Sequence, residues 1–161
     1  MKYCIECGTK LIVKELEHEG LIPYCEHCKQ YRFPIFNSAV SVIVLNKNKD
    51  KILLIKQYSK PYYVLVAGYI NKGENAIETV RREVFEEVGL NITEIYFNDS
   101  KYFEPTNTCM FNFVFISDSE EFILNYEVDE ANWFSIEDSK KMIKDNSLAQ
   151  YFLYKFLKVD N

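Results

Sequence analysis

Residues 68–90 constrain this chain more tightly than any other stretch. Residues 75–88 contain neither Pro nor Gly and run into Gly89, which predicts one helix with a glycine stop. Ile77, Val80, Val84 and Val88 recur at spacings of three and four, as one buried stripe requires. Glu83, Glu86 and Glu87 share a neighbouring stripe, because positions i, i+3 and i+4 lie on one side of a helix. Three carboxylates there repel one another and crowd the end of the helix where the dipole disfavours negative charge. Two readings follow. One is a solvated acidic face. The other is a site for a hard divalent cation, Mg²⁺ or Mn²⁺, held by oxygen ligands and shared with substrate phosphates.

The rest of the chain supplies a core for such a helix. At 161 residues with 48% hydrophobic content, 12 Phe and 12 Tyr, it can pack one ordinary domain with a small appendage. A net charge of −5 argues against broad electrostatic capture of nucleic acid or an anionic membrane. It does not exclude a phosphate substrate, since a bound cation inverts the local field. Met1-Lys2-Tyr3-Cys4 does not open a signal peptide, and the longest apolar runs are strand-length. The expected location is the cytoplasm, where paired cysteines favour metal over disulfides.

Those cysteines come first in the chain. Cys4 and Cys7 form one Cys-x-x-Cys pair, Cys25 and Cys28 another, with residues 8–24 between them. This is the pattern of a zinc ribbon, in which four thiolates close a tetrahedral Zn²⁺ site. His27 lies inside the second pair, but four thiolates already complete the site. Residues 11–13 and 21–22 predict short strands of a hairpin. Beyond Phe33-Pro34, strands are expected at residues 39–45, 51–57, 62–67, 92–102 and 110–117. Ser135 and Ser147 read as N-caps of helices over residues 136–144 and 148–157. Sequence pattern alone gives a mixed α and β domain. Cys109, the odd cysteine, reads as a small buried hydrophobe.

The stretch from Gly68 resembles the Nudix box: Gly68, five residues, Glu74, seven residues, then Arg82-Glu83-Val84-Phe85-Glu86-Glu87-Val88-Gly89-Leu90. Every fixed position of the box is filled. The resemblance implies an α/β/α sandwich with a mixed sheet over residues 35–161, preceded by the zinc ribbon at residues 1–34. It also implies a metal-dependent pyrophosphohydrolase acting on a nucleoside diphosphate derivative. By motif position, Glu83, Glu86, Glu87 and the Gly68 carbonyl hold the catalytic Mg²⁺ or Mn²⁺. Arg82 orients a box carboxylate such as Glu86, and Glu74 closes the loop or caps the helix.

The pairing of ribbon and box is similar to the NADH pyrophosphatase family. Tyr31-Arg32-Phe33-Pro34, Ala67-Gly68-Tyr69 and Glu127-x-x-Glu130-Ala131-Asn132-Trp133 carry the likeness further. In that family the last stretch supplies active-site carboxylates, so Glu127 and Glu130 are candidates for a metal ligand or general base, with Glu127 favoured; read from sequence alone they are surface acids. Tyr69 and Phe103 are candidate stacking residues for a substrate base. The family's Ser-Gln-Pro-Trp-Pro-Phe-Pro-x-Ser signature, linked to NAD(H), is reduced here to Ser100 and Phe103 within residues 100–108. The substrate choice therefore stays open among NAD(H), ADP-ribose, other nucleotides and a nucleotide-capped RNA end. A nucleotide-sensing module without turnover is the alternative from another class. A homodimer is implied by the likeness alone.

Overall fold

In the computed structural model, which describes residues 1–159, the chain divides into two compact units, Met1–Phe36 and Asn37–Asn161. The first unit is a three-stranded antiparallel sheet of β1 (Ile12–Leu16), β2 (Gly20–Cys25) and β3 (Gln30–Tyr31). It has almost no apolar core. Val13 is 64% exposed and Leu21 73%, and among the described residues of this unit only Cys4 and Cys25 are buried. The cysteines take the place of a core. Their four Sγ atoms lie within 4.8 Å of one another, with Cys4–Cys28 at 3.9 Å and Cys7–Cys25 at 3.5 Å. Zinc–sulfur bonds of about 2.3 Å give a tetrahedron with edges of about 3.8 Å, so the four thiols fit zinc. Each knuckle turns with a left-handed residue just after its second cysteine, Gly8 (φ 71°) and Lys29 (φ 57°). Arg32 Nε donates to Cys4 Sγ at 3.3 Å. Burial acts to raise the Cys4 thiol, but the Cys7 and Glu6 N–H groups and Arg32 outweigh it and hold it down at about 6.

The second unit is built on β4 (Asn37–Leu45). It pairs in parallel with β8 (Thr108–Ser117) along its whole length. On its other edge it pairs with two strands in succession: β6 (Val66–Tyr69) along its first half and β5 (Lys51–Gln57) at its end. β7 (Ile92–Phe103) and β9 (Val128–Ser135) complete a mixed sheet of order β7-β8-β4-β5-β9. The central strands are apolar on both faces, as a covered sheet demands. Val40, Val42, Val44, Leu53 and Ile55 meet Val80, Val84 and Val88 of α1 (Ala76–Val88). Ile43, Leu45, Ile52 and Leu54 face Ile143, just after α2 (Ile136–Met142), and Phe152 and Leu153 of α3 (Leu148–Leu157). This is the expected α/β/α sandwich. Among the described residues no helix is long and apolar enough to cross a membrane.

The structure departs from the expected elements in three places. Residues 128–135 form the edge strand β9, which sequence pattern did not suggest because Asp129, Glu130 and Asn132 break its apolar run. Ile77 is exposed, and Thr79 takes the buried place beside Val80. The third strand begins later than expected and carries Gly68 within it.

The ribbon gives the first test. The purified chain is expected to hold one Zn²⁺ by elemental analysis. Cys25→Ser is expected to release it and to remove hydrogen-exchange protection across β1 to β3. Protection that survives without zinc would show that the sheet stands without its metal.

Candidate active site

Local chemistry fixes the helix before any site exists. Asn75 caps α1, accepting from the Glu78 N–H while the Glu78 carboxylate accepts from the Asn75 N–H. Gly89 ends it in a left-handed turn (φ 67°) that a side chain would disfavour. Val80, Val84 and Val88 are fully buried, worth about 1.5 kcal/mol or more each. That outweighs like-charge repulsion along the helix, which runs to a few tenths of a kcal/mol per pair. It does not remove the cost of Glu87, which is buried on the same side.

Glu87 is 3% exposed. Its Oε1 accepts from Gln57 Nε2 at 2.7 Å, and its Oε2 has no hydrogen-bond partner among the described residues. Burial, opposed by Gln57 and reinforced by Glu83, Glu127 and Glu86, pushes its carboxyl up to about 8. Glu83, one turn earlier, is also raised by burial despite the Arg82 guanidinium beside it. Its carboxyl group occupies the space next to Gly68, where a Cβ on that glycine would come within 1.9 Å of the Glu83 Cδ. Gly68 is thus required by close approach: β4 holds it opposite Val40, and Glu83 lies against its bare Cα.

Arg82 gathers the remaining box acids. It donates to both Glu74 oxygens (Nε to Oε1 2.7 Å, Nη2 to Oε2 2.9 Å), to Glu83 at 2.7 Å, to Glu86 at 3.2 Å and to the Tyr69 carbonyl at 3.1 Å. Its principal partner is therefore Glu74, where the sequence suggested Glu86. Arg82 in turn holds the Glu74 carboxyl down at about 2. Glu74 also accepts from the Asn71 N–H and the Thr79 hydroxyl. It pins the loop to Arg82, and the helix cap is Asn75.

These elements enclose a cavity of about 450 Å³ whose walls include Gly68, Glu83, Glu87, Arg82, Tyr69 and Glu127. Of the acids expected outside the box, Glu127 reaches this cavity. Glu130 ion-pairs with Lys56 at 2.7 Å and accepts from Tyr63 and Asn132. Glu86 is half exposed and approaches through Arg82. Phe103 lines a different cavity, with Lys101 and Tyr151. Gln57 and Tyr58 are among the wall residues that were not singled out in the sequence. Tyr58 O–H donates to Glu127 at 3.4 Å from a turn in which Tyr58 and Ser59 are both left-handed (φ 53° and 56°). Hairpin turns of that type favour Asn-Gly, so Tyr-Ser is an unusual occupant.

The donor set fits a hard divalent cation. It is all oxygen, it crowds negative charge into a partly buried wall, and one buried carboxylate oxygen lacks a partner.

The NUDIX domain family matches residues 36–156. The chain belongs to the Nudix family. The NAD-capped RNA hydrolase NudC of Vibrio cholerae is 28% identical over 153 residues, which cover 93% of this chain and 55% of that protein. Nudix hydrolase 19, chloroplastic, of Arabidopsis thaliana is 28% identical over 160 residues, 93% of this chain and 35% of that protein. The chain thus spans about half the length of these curated relatives, or less. A crystal structure of a NUDIX hydrolase from Nitrosomonas europaea superposes with a TM-score of 0.66 over 96% of this chain and 90% of that one; at 21% identity this likeness speaks for the fold. The relatives accord with the resemblance to zinc-ribbon Nudix hydrolases read from the sequence.

Two tests follow from the Nudix cavity. A carboxyl raised from about 4.5 to about 8 on folding keeps a proton that the unfolded chain has lost. Its contribution is intact below about pH 4.5 and is lost as pH rises toward 8. Glu87→Gln is therefore expected to stabilise the chelator-treated protein by about 2–4 kcal/mol at pH 8 and by little at pH 4.5, measured by urea unfolding. Equal effects at both pH values would contradict a buried, raised Glu87. Gly68→Ala is expected to displace Glu83 and to cost at least about tenfold in Mn²⁺ affinity by electron paramagnetic resonance titration.

Proposed function

We propose that the chain is a metal-dependent pyrophosphohydrolase of nucleoside diphosphate derivatives, with NAD(H) and an NAD-capped RNA end as the leading substrates. The observation that carries this reading is the convergence of Glu83, Glu87 and Glu127 on one cavity, with a buried Glu87 oxygen left unpaired. Mg²⁺ or Mn²⁺ would be held by Glu83, Glu87 and the exposed Glu86, with the Gly68 carbonyl as a further ligand. When bound, such an ion polarises a phosphoryl oxygen and lowers the pKa of attached water.

The chain's own residues would then divide the work. Arg82 orients Glu83 and Glu86, and Glu74 fixes Arg82. Glu127, which enters the cavity from outside α1, is the better-placed general base; Glu130 is engaged by Lys56 and Tyr63. Tyr69, 55% exposed at the cavity wall, offers a face for a nucleobase or nicotinamide ring. The substrate preference draws on the activity for which the NudC relatives are named, and ADP-ribose is the main competitor.

The test is a Mg²⁺-dependent assay on NADH, NAD⁺, ADP-ribose and NAD-capped RNA, with products resolved by chromatography. Cleavage of NAD(H) to a nicotinamide mononucleotide and AMP is expected, and Glu86→Gln is expected to lower kcat by at least about 100-fold with the fold unchanged. Preference for ADP-ribose would keep the chemistry and replace the substrate. Binding without turnover in Mg²⁺ and Mn²⁺ would favour a nucleotide sensor.

A further inference from the structure

β5 is apolar where it faces α1, until its last residue. Leu53 and Ile55 join the core beneath the helix, and alternation puts position 57 on the same face. Packing alone would choose another aliphatic residue there. The chain has Gln57, at a point where the β5–β9 register shifts between Lys56 and Gln57. Such irregularities re-aim a side chain at the end of a strand.

The side-chain hydrogen bond of Gln57 goes to the carboxylate least able to find a partner elsewhere. Its Nε2 donates to Glu87 Oε1 at 2.7 Å, in a place where Glu87 is almost fully buried. Arg82 takes Glu74, Glu83 and Glu86 but makes no bond to Glu87. A neutral amide differs from a second guanidinium in two ways. It fixes one oxygen without supplying the positive charge that would compete with a cation. It also leaves the second oxygen, Oε2, with no donor among the described residues. Both Gln57 and Glu87 line the cavity.

We infer that Gln57 is a positioning residue for the catalytic metal: its amide locks the Glu87 carboxylate so that the unpaired oxygen is presented to the cation. This rests on the metal-dependent reading given above. The opposing account is that Gln57 only satisfies a buried acid for the sake of stability.

The two accounts separate in metal affinity. In Gln57→Met the side chain keeps its length and loses its donor; in Gln57→His a ring N–H donor returns at similar reach. Mn²⁺ binding is followed by electron paramagnetic resonance, with chelator-treated melting temperature as the control for folding. Gln57→Met is expected to weaken Mn²⁺ binding by about 10- to 100-fold while the protein remains folded, and Gln57→His to recover most of that loss. Wild-type affinity in folded Gln57→Met overturns the inference and leaves the metal site standing. If Gln57→Met does not fold, Gln57→His decides: a folded Gln57→His with Mn²⁺ affinity close to wild type supports the inference, and one weakened as much as Glu87→Gln overturns it. A wild-type chain that binds no Mn²⁺ fails the metal reading itself, and the role of Gln57 falls with it.

Discussion

A carboxylate held in the core beside its own kind is the constraint on which the second unit depends. Glu87 sits among the valines that fasten α1 to the sheet, at a place where an aliphatic residue would stabilise the fold by a few kcal/mol more. Keeping it there requires a strong apolar anchor on either side, which Val84 and Val88 provide. It also requires a polar partner that reaches under the helix, which Gln57 provides. Glu83, one turn back, makes a second demand, since its carboxyl group fits only if the neighbouring strand carries no Cβ. The strand, the glycine and the helix phase are thus set by the two acids together.

The box acids and Glu127 fall into two electrostatic groups. Glu74, Glu83 and Glu86 share the Arg82 guanidinium, and Glu74 is bound tightly enough to titrate near 2. Glu87 and Glu127 lie outside that ion-pair set and face the cavity. One guanidinium cannot neutralise five carboxylates, and the excess negative charge is concentrated on the side of Glu83, Glu87 and Glu127. The desolvated Glu87 responds by keeping its proton to about pH 8, and a divalent cation would compete with that proton for the same oxygen. A cation bound at this residue would release a proton.

Much of this was legible in the sequence because the relevant signals are local. Helix period, the Gly89 stop and the spacing of Glu83, Glu86 and Glu87 fix which residues share a face, and the structure keeps that phase. The cysteine spacing likewise predicted a cluster that the backbone closes. What stayed hidden depends on pairing at a distance. Glu74 was read as closing the loop or capping the helix, but its partner was not: it meets Arg82 two helical turns away because the loop folds back. Glu127 and Glu130 lie three residues apart, and the sequence favoured Glu127 without showing what parts them. The turn ahead of β9 and the pairing of that strand with β5 separate them, sending Glu130 to Lys56 and leaving Glu127 at the cavity. Gln57 did leave a trace, as a polar residue at an apolar phase of a strand, which is a mark worth reading in any half-buried sheet.

The two units meet the same physical difficulty with different chemistry. Each brings together groups that repel when ionised, four thiols in one and a set of carboxylates in the other. In the ribbon the buried residues among those described are Cys4 and Cys25, so a metal held by the four thiols would take the place of a core. In the second unit a double-faced apolar sheet carries the fold, so it tolerates a buried carboxylate with an unpaired oxygen. Ligand softness would keep two such sites distinct, since thiolates favour zinc and carboxylate oxygens favour hard divalent cations. Closed thiolate coordination suits an ion that stays. Oxygen donors on an open cavity, with Arg82 bonded to Glu83 and Gln57 to Glu87, suit an ion that shares its coordination with a ligand.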